Sequence, residues 1–269
     1  YPKQFSKLIG DTTLFQASAQ RLTTSDLIDF APHITLTNAN FRFMIGEQLQ
    51  EVGIDPGPIL IEPKGKNTAP AITLAAAFLE NSLYEDCLIL VSPADHFINP
   101  EEEFIQRILE SSDHAESGSV CVFGITPTHP NTGYGYIQTE KNNKHDLDLT
   151  DVISFQEKPD ITTAQQLVNS GDYLWNSGVY LFSLSTYMRL MDDLEPQITK
   201  FCRESILKST KDYDFVWPEK KSFSKVESVS IDNALTEKIK DKGASLKVKS
   251  LTSMCTIFAE HWEENSYIF

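Results

Sequence analysis

Short apolar runs alternate with helical segments from one end of this chain to the other, the signature of a mostly parallel sheet flanked by helices. Strands are expected at residues 33–38, 59–62, 87–92, 120–125, 136–138, 152–157 and 179–184. Helices are expected at 14–23, 41–52, 68–81, 101–117, 162–169, 185–191, 196–207 and 231–239. The sharpest point in the pattern is Cys87-Leu88-Ile89-Leu90-Val91, a buried-strand run that leads into Ser92-Pro93-Ala94-Asp95-His96. Open α/β sheets bind ligands outside the carboxyl ends of their strands, and Asp95 stands at such an end. Read alone, Asp95 either caps a turn beside a solvent-facing His96 or offers a hard oxygen ligand to Mg²⁺ carried with phosphates.

The chain has 269 residues, enough for one large α/β domain or two small ones with a sizeable core. Its net charge of -15 argues against a general nucleic-acid binder, which needs a basic face. A small phosphorylated substrate remains compatible, because a few local lysines and a Mg²⁺ ion neutralise phosphate. No stretch approaches the roughly 18 apolar residues of a membrane span, and no signal peptide is visible. Cys87, Cys121, Cys202 and Cys255 are scattered, with no C-x-x-C pair, which points to a reducing, cytoplasmic location. The chain starts Tyr1-Pro2-Lys3 without Met, so its natural start is expected upstream.

Four further motifs carry chemistry. Glu62-Pro63-Lys64-Gly65-Lys66-Asn67-Thr68 joins a strand to an almost wholly apolar helix. Its turn is either a Thr-capped connection with two solvated lysines or a site where free N–H groups of the helix start face an anion. Asn131-Thr132-Gly133-Tyr134-Gly135-Tyr136 alternates glycine with aromatics, which suits either a kinked strand or close approach to a sugar ring. Phe155-Gln156-Glu157-Lys158-Pro159 ends a strand. Neighbours on a strand point to opposite faces, so Glu157 and Lys158 are not expected to pair. Trp175-Asn176-Ser177-Gly178 is expected as a turn just before a strand, with an Asn equipped to read a hydroxyl. From Gly133 onward the strands are shorter and the stretch 141–146 is polar, the pattern of an exposed hairpin loop on a smaller mixed lobe.

Taken in order, these motifs resemble those of the bacterial mannose-1-phosphate guanylyltransferases, within the sugar-phosphate nucleotidyltransferase superfamily. The residues that carry the resemblance are Tyr1 to Phe5, Glu62 to Ala71, Pro93 to His96, Asn131 to Tyr136, Glu157 to Pro159, Trp175 to Gly178 and Ser230-Ile231-Asp232. The block Lys66-Asn67-Thr68-Ala69-Pro70-Ala71 points to the guanylyl branch rather than to the thymidylyl or uridylyl relatives.

The resemblance implies a Rossmann-like, GT-A-like nucleotidyltransferase domain over 1–269, with a nucleotide-binding half at 1–130 and a sugar-phosphate-binding half at 131–269. It implies transfer of GMP from GTP to α-D-mannose 1-phosphate, with Mg²⁺ as cofactor and pyrophosphate as the second product. Lys3 and Asp95 would be catalytic, with Asp95 the metal ligand. Glu62, Lys66, Asn67, Pro70, Ala71 and Asp95 would bind the nucleotide. Gly133, Tyr134, Glu157, Lys158, Asn176, Gly178 and Asp232 would bind the sugar phosphate. The family's glycine-rich phosphate loop would lie just before Tyr1, and its second metal-binding aspartate after Leu251. Both are missing from this chain and are expected to be segments left out of it rather than deletions. Other sugar 1-phosphates, a bifunctional protein with an isomerase domain, and a non-catalytic nucleotide-sugar sensor are the competing readings. No nucleic-acid or membrane partner is expected, and the oligomeric state stays open, a homodimer included.

Overall fold

The structure, a computed structural model, describes residues 2–8, 10–82, 85–139, 149–251 and 267–268. The polar stretch 141–146, Cys255, Tyr1 and Thr252-Ser253-Met254 lie outside the described residues. The first half runs α1 (Leu14–Arg21), β1 (Thr35–Thr37), α2 (Arg42–Glu51), β2 (Ile59–Ile61), α3 (Thr68–Asn81), β3 (Leu88–Pro93), α4 (Glu101–Glu116) and β4 (Val120–Ile125). Next come β5 (Tyr136–Gln138), β6 (Thr150–Asp151), β7 (Ser154–Gln156), α5 (Ile161–Ser170), β8 (Tyr173–Ser183), α6 (Leu184–Leu194) and α7 (Pro196–Leu207). The chain continues through β9 (Thr210–Asp212), β10 (Phe215–Trp217), α8 (Lys220–Phe223), β11 (Leu246–Leu251) and β12 (Tyr267–Ile268).

These strands form one mixed sheet in the order β6-β11-β4-β8-β3-β12-β1-β2-β10-β9, with β5 beside β8 and β7 beside β5. The pairings run β1, β2, β3, β4, β5, β10 and β11 in one direction, and β6, β7, β8, β9 and β12 in the other. Strands from both halves of the chain are interleaved, since β8 separates β3 from β4 and β10 flanks β2. Helices cover both faces, and the strands alternate between two cores. Leu60, Ile89, Val91, Val122 and Tyr180 face the core under α3, α6 and α7. Ile59, Ile61, Leu90, Phe123 and Leu181 face the core under α1, α2 and α4.

Local signals explain most of the boundaries. Thr13 and Gln16 form a reciprocal capping box at the start of α1. Asp160 caps α5, and Gly171 ends it in the left-handed conformation. The alanine-rich α3 is buried through its first ten residues except Thr68, because it lies between the sheet and two helices. It touches α6 through Thr73 Oγ1 and Tyr187 Oη at 2.8 Å, and α7 through Cys202 Sγ and the Pro70 carbonyl at 3.7 Å. Cys121 and Cys202 are buried free thiols, and burial pushes the Cys121 thiol up to about 12. No helix among the described residues is long and apolar enough to cross a membrane.

Four expectations need correction. The strand expected at 152–157 is the shorter β7, Ser154–Gln156; Val152 and Ile153 carry the chain from β6 beside β11 to β7 beside β5, donating to the Leu246 and Gln138 carbonyls. Trp175 to Gly178 is not a turn before a strand but part of β8, whose eleven residues absorb a positive φ of 73° at Gly178. The helix expected at 231–239 is a π turn (Asp232–Thr236) followed by a 3₁₀ turn (Ile239–Lys242). The elements β9, β10, α8 and β11 are not among the expected ones; β9, β10 and α8 have three or four residues and β9 is wholly exposed, while the six-residue β11 breaks its apolar run with Lys247, Lys249 and Ser250.

Candidate functional site

Sheet register brings the candidate residues to one edge. β3 and β8 are antiparallel, with Val91 opposite Tyr180, so continuing past Val91 toward Asp95 leads in the direction of Asn176. β4 ends beside the same residues, with Gly124 opposite Asn176 and Ile125 opposite Trp175. β2 runs parallel to β1, which β12 orients the same way as β3, so the Glu62–Thr68 turn leaves from that edge too. This is the carboxyl-end edge of six of the seven co-directional strands, where open α/β sheets bind ligands; the seventh, β5, begins there, with Tyr136 opposite Trp175.

Asp95 and His96 are both buried, and His96 does not face solvent. Its imidazole is pushed down to about 4 by burial, which outweighs the attraction of Asp95. It is therefore neutral at pH 7, and its 4.0 Å approach to Asp95 is not an ion pair. Asp95 Oδ2 pairs with Lys3 Nζ at 3.1 Å. Lys3 sits in a 3₁₀ turn anchored by Phe5, whose ring packs on Phe15 and Phe41. The Asp95–His96 turn is held from α1: Arg21 Nη2 and Ser18 Oγ both donate to the His96 carbonyl, at 3.1 and 3.3 Å. Among the described residues, no three His, Cys, Asp or Glu side chains gather to hold a metal. Asp95 thus offers one carboxylate, a donor set that fits Mg²⁺, which takes one or two carboxylates together with substrate phosphates and waters.

The β2–α3 turn is closed rather than open. Asn67 caps α3, not Thr68: its side chain accepts the Thr68 N–H at 2.8 Å, and its backbone has φ 72°. A non-glycine residue there costs on the order of 1–3 kcal/mol and persists only where the surroundings enforce it. The N–H groups expected to face a ligand are not all available, because the Ala69 N–H donates to the Val229 carbonyl at 3.2 Å. Lys66 turns its ammonium onto the chain itself, donating to the Ser224 carbonyl at 2.8 Å and also to that of Val226. Glu62 accepts the Lys66 N–H at 3.2 Å, and burial raises its carboxyl to about 7. Pro70 and Ala71 are buried in the first turn of α3, with Ala71 packed in the core.

On the other side of the edge lies a row of polar groups. Gln156 pairs with Tyr136 and Tyr136 with Trp175, so Glu157 follows opposite Gly135, whose carbonyl accepts the Asn176 N–H at 2.8 Å. A Cβ on Gly135 would come 2.7 Å from Glu157 Oε2 and 2.7 Å from the Phe155 ring, so a side chain there would push the carboxylate or the ring aside. Burial, and next the charge of Asp232, raise Glu157 to about 7. Glu157 and Lys158 do pair, at 3.4 Å, against expectation: β7 has ended at Gln156, and Lys158 takes φ 40°, which swings its ammonium back. Gly133 is exposed in a turn closed by Asn131 Oδ1 at 2.7 Å, and the Tyr134 ring stands 5.0 Å from that of Trp175.

Asp232 completes the row. Its Oδ1 accepts from Tyr180 Oη at 2.6 Å and from Asn176 Nδ2 at 2.7 Å, while Asn176 Oδ1 accepts the Gly178 N–H at 3.1 Å. Burial raises both the Asp232 carboxyl and the Tyr180 hydroxyl, which stays protonated and donates. The sequence motifs missed Arg21 and Ser18, and they and the expected strands contained Gly135 and Tyr180 without naming either as a site residue. Tyr180 had a readable signal, since 176, 178 and 180 share one face of a strand. Arg21 and Ser18 had none, because nothing local marks a helix residue as the partner of a turn 75 or more positions away.

Residues 1–243 match the profile of the nucleotidyl transferase family. The Xanthan biosynthesis protein XanB of Xanthomonas campestris pv. campestris (strain B100) is 41% identical over 241 residues, 90% of this chain and 50% of its own length. The mannose-1-phosphate guanylyltransferase of Escherichia coli is 38% identical over 244 residues, 90% of this chain and 52% of its own length. The chain thus spans about half the length of the curated relatives it matches. A solved structure described as mannose-6-phosphate isomerase from Helicobacter pylori is 28% identical, with a TM-score of 0.82 and coverage of 96% of each chain.

Proposed function

The chain belongs to the nucleotidyl transferase family, and from that premise we propose that it transfers GMP from GTP to α-D-mannose 1-phosphate. A phosphate oxygen of the sugar phosphate attacks the α-phosphorus in line; the new P–O bond forms as the bond to the β-phosphate breaks, and pyrophosphate leaves. The nucleophile is already an anion, so the chain's work is positioning and neutralisation of charge rather than proton transfer. The observation that carries this reading is a common level in the sheet: the Lys3–Asp95 pair and the β2–α3 turn follow the carboxyl ends of β3 and β2, and Glu157 and Asn176, with Asp232 bonded to Asn176, lie level with the carboxyl end of β4 across β8.

In this reading Lys3 meets the triphosphate and Asp95 holds a Mg²⁺ ion, which when bound would neutralise and orient phosphate oxygens. Glu62, Asn67, Pro70 and Ala71 lie at the nucleotide's side, the last two through backbone and packing because their side chains are buried. Gly133 and Tyr134 lie against the sugar, with Glu157, Asp232, Asn176 and Gly178 around its hydroxyls. Residues 1–130 are the nucleotide half and 131–269 the sugar-phosphate half, although their strands share one sheet. A cytoplasmic location belongs with it, where the buried thiols of Cys121 and Cys202 stay reduced.

The test is pyrophosphate release with four nucleoside triphosphates against a panel of sugar 1-phosphates. GTP with mannose 1-phosphate is expected to exceed every other pair, and a different best pair reassigns the substrate. The Helicobacter pylori structure is described as a mannose-6-phosphate isomerase, so isomerisation of mannose 6-phosphate is assayed on the same preparation. Isomerisation without pyrophosphate release would favour that second reading.

Lys158 supplies a sharper check. Its ammonium is half exposed and held beside Glu157, placed to meet a phosphate. Lys158→Ala is expected to raise KM for mannose 1-phosphate roughly tenfold, about one charge-assisted hydrogen bond, with KM for GTP within twofold. An unchanged KM for the sugar phosphate removes Lys158 from that role.

A further inference from the structure

The segment between α8 and the π turn, residues 224–231, is fastened along its length to the β2–α3 turn. Lys66 Nζ holds its start through the carbonyls of Ser224 and Val226. The Ala69 N–H holds its middle through the Val229 carbonyl at 3.2 Å. Thr68 Oγ1 holds its end by accepting the Ile231 N–H at 2.6 Å. Val226 and Ile231 are buried in the core that also packs α3. The next residue is Asp232, whose Oδ1 takes the Tyr180 hydroxyl and the Asn176 amide.

The position of Asp232 is therefore set from two sides. Tyr180 and Asn176 fix its carboxylate from β8, and the strap 224–231 fixes its backbone from the β2–α3 turn. We propose that Lys66 and Thr68 are positioning residues for the sugar-phosphate side of the site, acting through this strap, and that Lys66 is not a direct nucleotide contact. The ammonium of Lys66 meets two backbone carbonyls that lie six and eight residues before Asp232. Its own N–H is taken by Glu62. With the ammonium and the amide both engaged within the chain, what Lys66 transmits to a ligand is the placement of the strap. Because linkage is reciprocal, a nucleotide that stiffens the β2–α3 turn would tighten sugar-phosphate binding, and the sugar phosphate would tighten nucleotide binding equally.

The inference rests on the proposed guanylyl transfer, and its test keeps the two separable. Wild type, Lys66→Met, Lys66→Arg, Thr68→Val and Thr68→Ser are compared by pyrophosphate release and by titration calorimetry with mannose 1-phosphate alone. A wild-type protein inactive with GTP and mannose 1-phosphate overturns the proposed function itself. With an active wild type, Lys66→Met and Thr68→Val are both expected to weaken mannose 1-phosphate roughly tenfold, the scale of one lost hydrogen bond to a charged group. KM for GTP stays within about twofold, and Lys66→Arg and Thr68→Ser recover most of the loss, since each restores the donor or acceptor. If Lys66→Met instead raises KM for GTP and leaves mannose 1-phosphate binding unchanged, Lys66 is a nucleotide contact and the strap assignment is wrong. Equal loss for both ligands, not recovered by Lys66→Arg, also overturns it, as does a Thr68→Val protein that binds mannose 1-phosphate as tightly as wild type.

Discussion

Asp95→Asn is expected to lower kcat for pyrophosphate release by on the order of 10²–10³-fold while leaving the fold intact. That is the size of effect seen when one preorganised electrostatic contact to a reacting group is removed. The substitution keeps the side-chain volume and one oxygen, so the buried turn has no cavity to fill. What holds the turn is backbone: the His96 carbonyl receives Arg21 and Ser18 from α1, and neither bond involves the Asp95 carboxylate. Lys3 loses its partner at 3.1 Å, but its side chain is 27% exposed and water takes over part of that interaction. Thermal unfolding should therefore shift by no more than about 3 °C, roughly 1 kcal/mol in a chain of this size. Activity should also need more Mg²⁺ to saturate, since a neutral amide is a poorer ligand for a hard cation. A variant with near-wild-type turnover and an unchanged Mg²⁺ requirement would show that Asp95 serves the turn alone.

The contrast between Asp95 and its surroundings shows which parts of the site can be read from a sequence. Asp95 was legible because a strand's apolar run and the residue after it are adjacent in the chain. The helix at 68–81 and the helix at 196–207 were legible to the residue, the first from its apolar run and the second from Pro196 at its first position. The Glu157–Lys158 pair was misread because the rule of opposite faces holds only while the chain remains a strand, and β7 stops one residue earlier. Asn176 was placed before its strand because Asn, Ser and Gly look like a turn; antiparallel pairing with both β4 and β5 makes them strand instead. The strap 224–231 had no local signature. Its hydrogen bonds join residues about 160 positions apart, and periodicity carries no information at that range.

Glu62 offers a second large effect, in the direction opposite to most substitutions near a site. Its carboxyl is raised from 4.5 to about 7, chiefly by burial, with the Lys66 N–H and the Lys66 charge only partly opposing that. Between these two values the folded chain binds the proton more tightly than the unfolded chain does. Stability from this group is therefore full below about 4.5, falls as pH rises toward 7, and is flat above it. Above pH 7 the fold carries a buried carboxylate it would be more stable without. Glu62→Gln removes the titration and keeps an oxygen that can accept the Lys66 N–H, now at 3.2 Å.

The variant is thus expected to be more stable than wild type at pH 8 by on the order of 2 kcal/mol, a melting shift of roughly 4–8 °C. At pH 5 the two should melt nearly together, because wild-type Glu62 is then protonated in the fold. Melting curves of both proteins from pH 5 to pH 8 check this, and Glu157, raised to about 7 in both, contributes a slope that cancels in the difference. A gap that does not grow with pH, or a Glu62→Gln protein less stable at pH 8, means the carboxylate is stabilised where it sits. In that case the positive charge of Lys66 reaches Glu62 more strongly than its bonds to Ser224 and Val226 imply. The strap would then be holding a charge pair, and loosening it should raise the Glu62 pKa from that stabilised position.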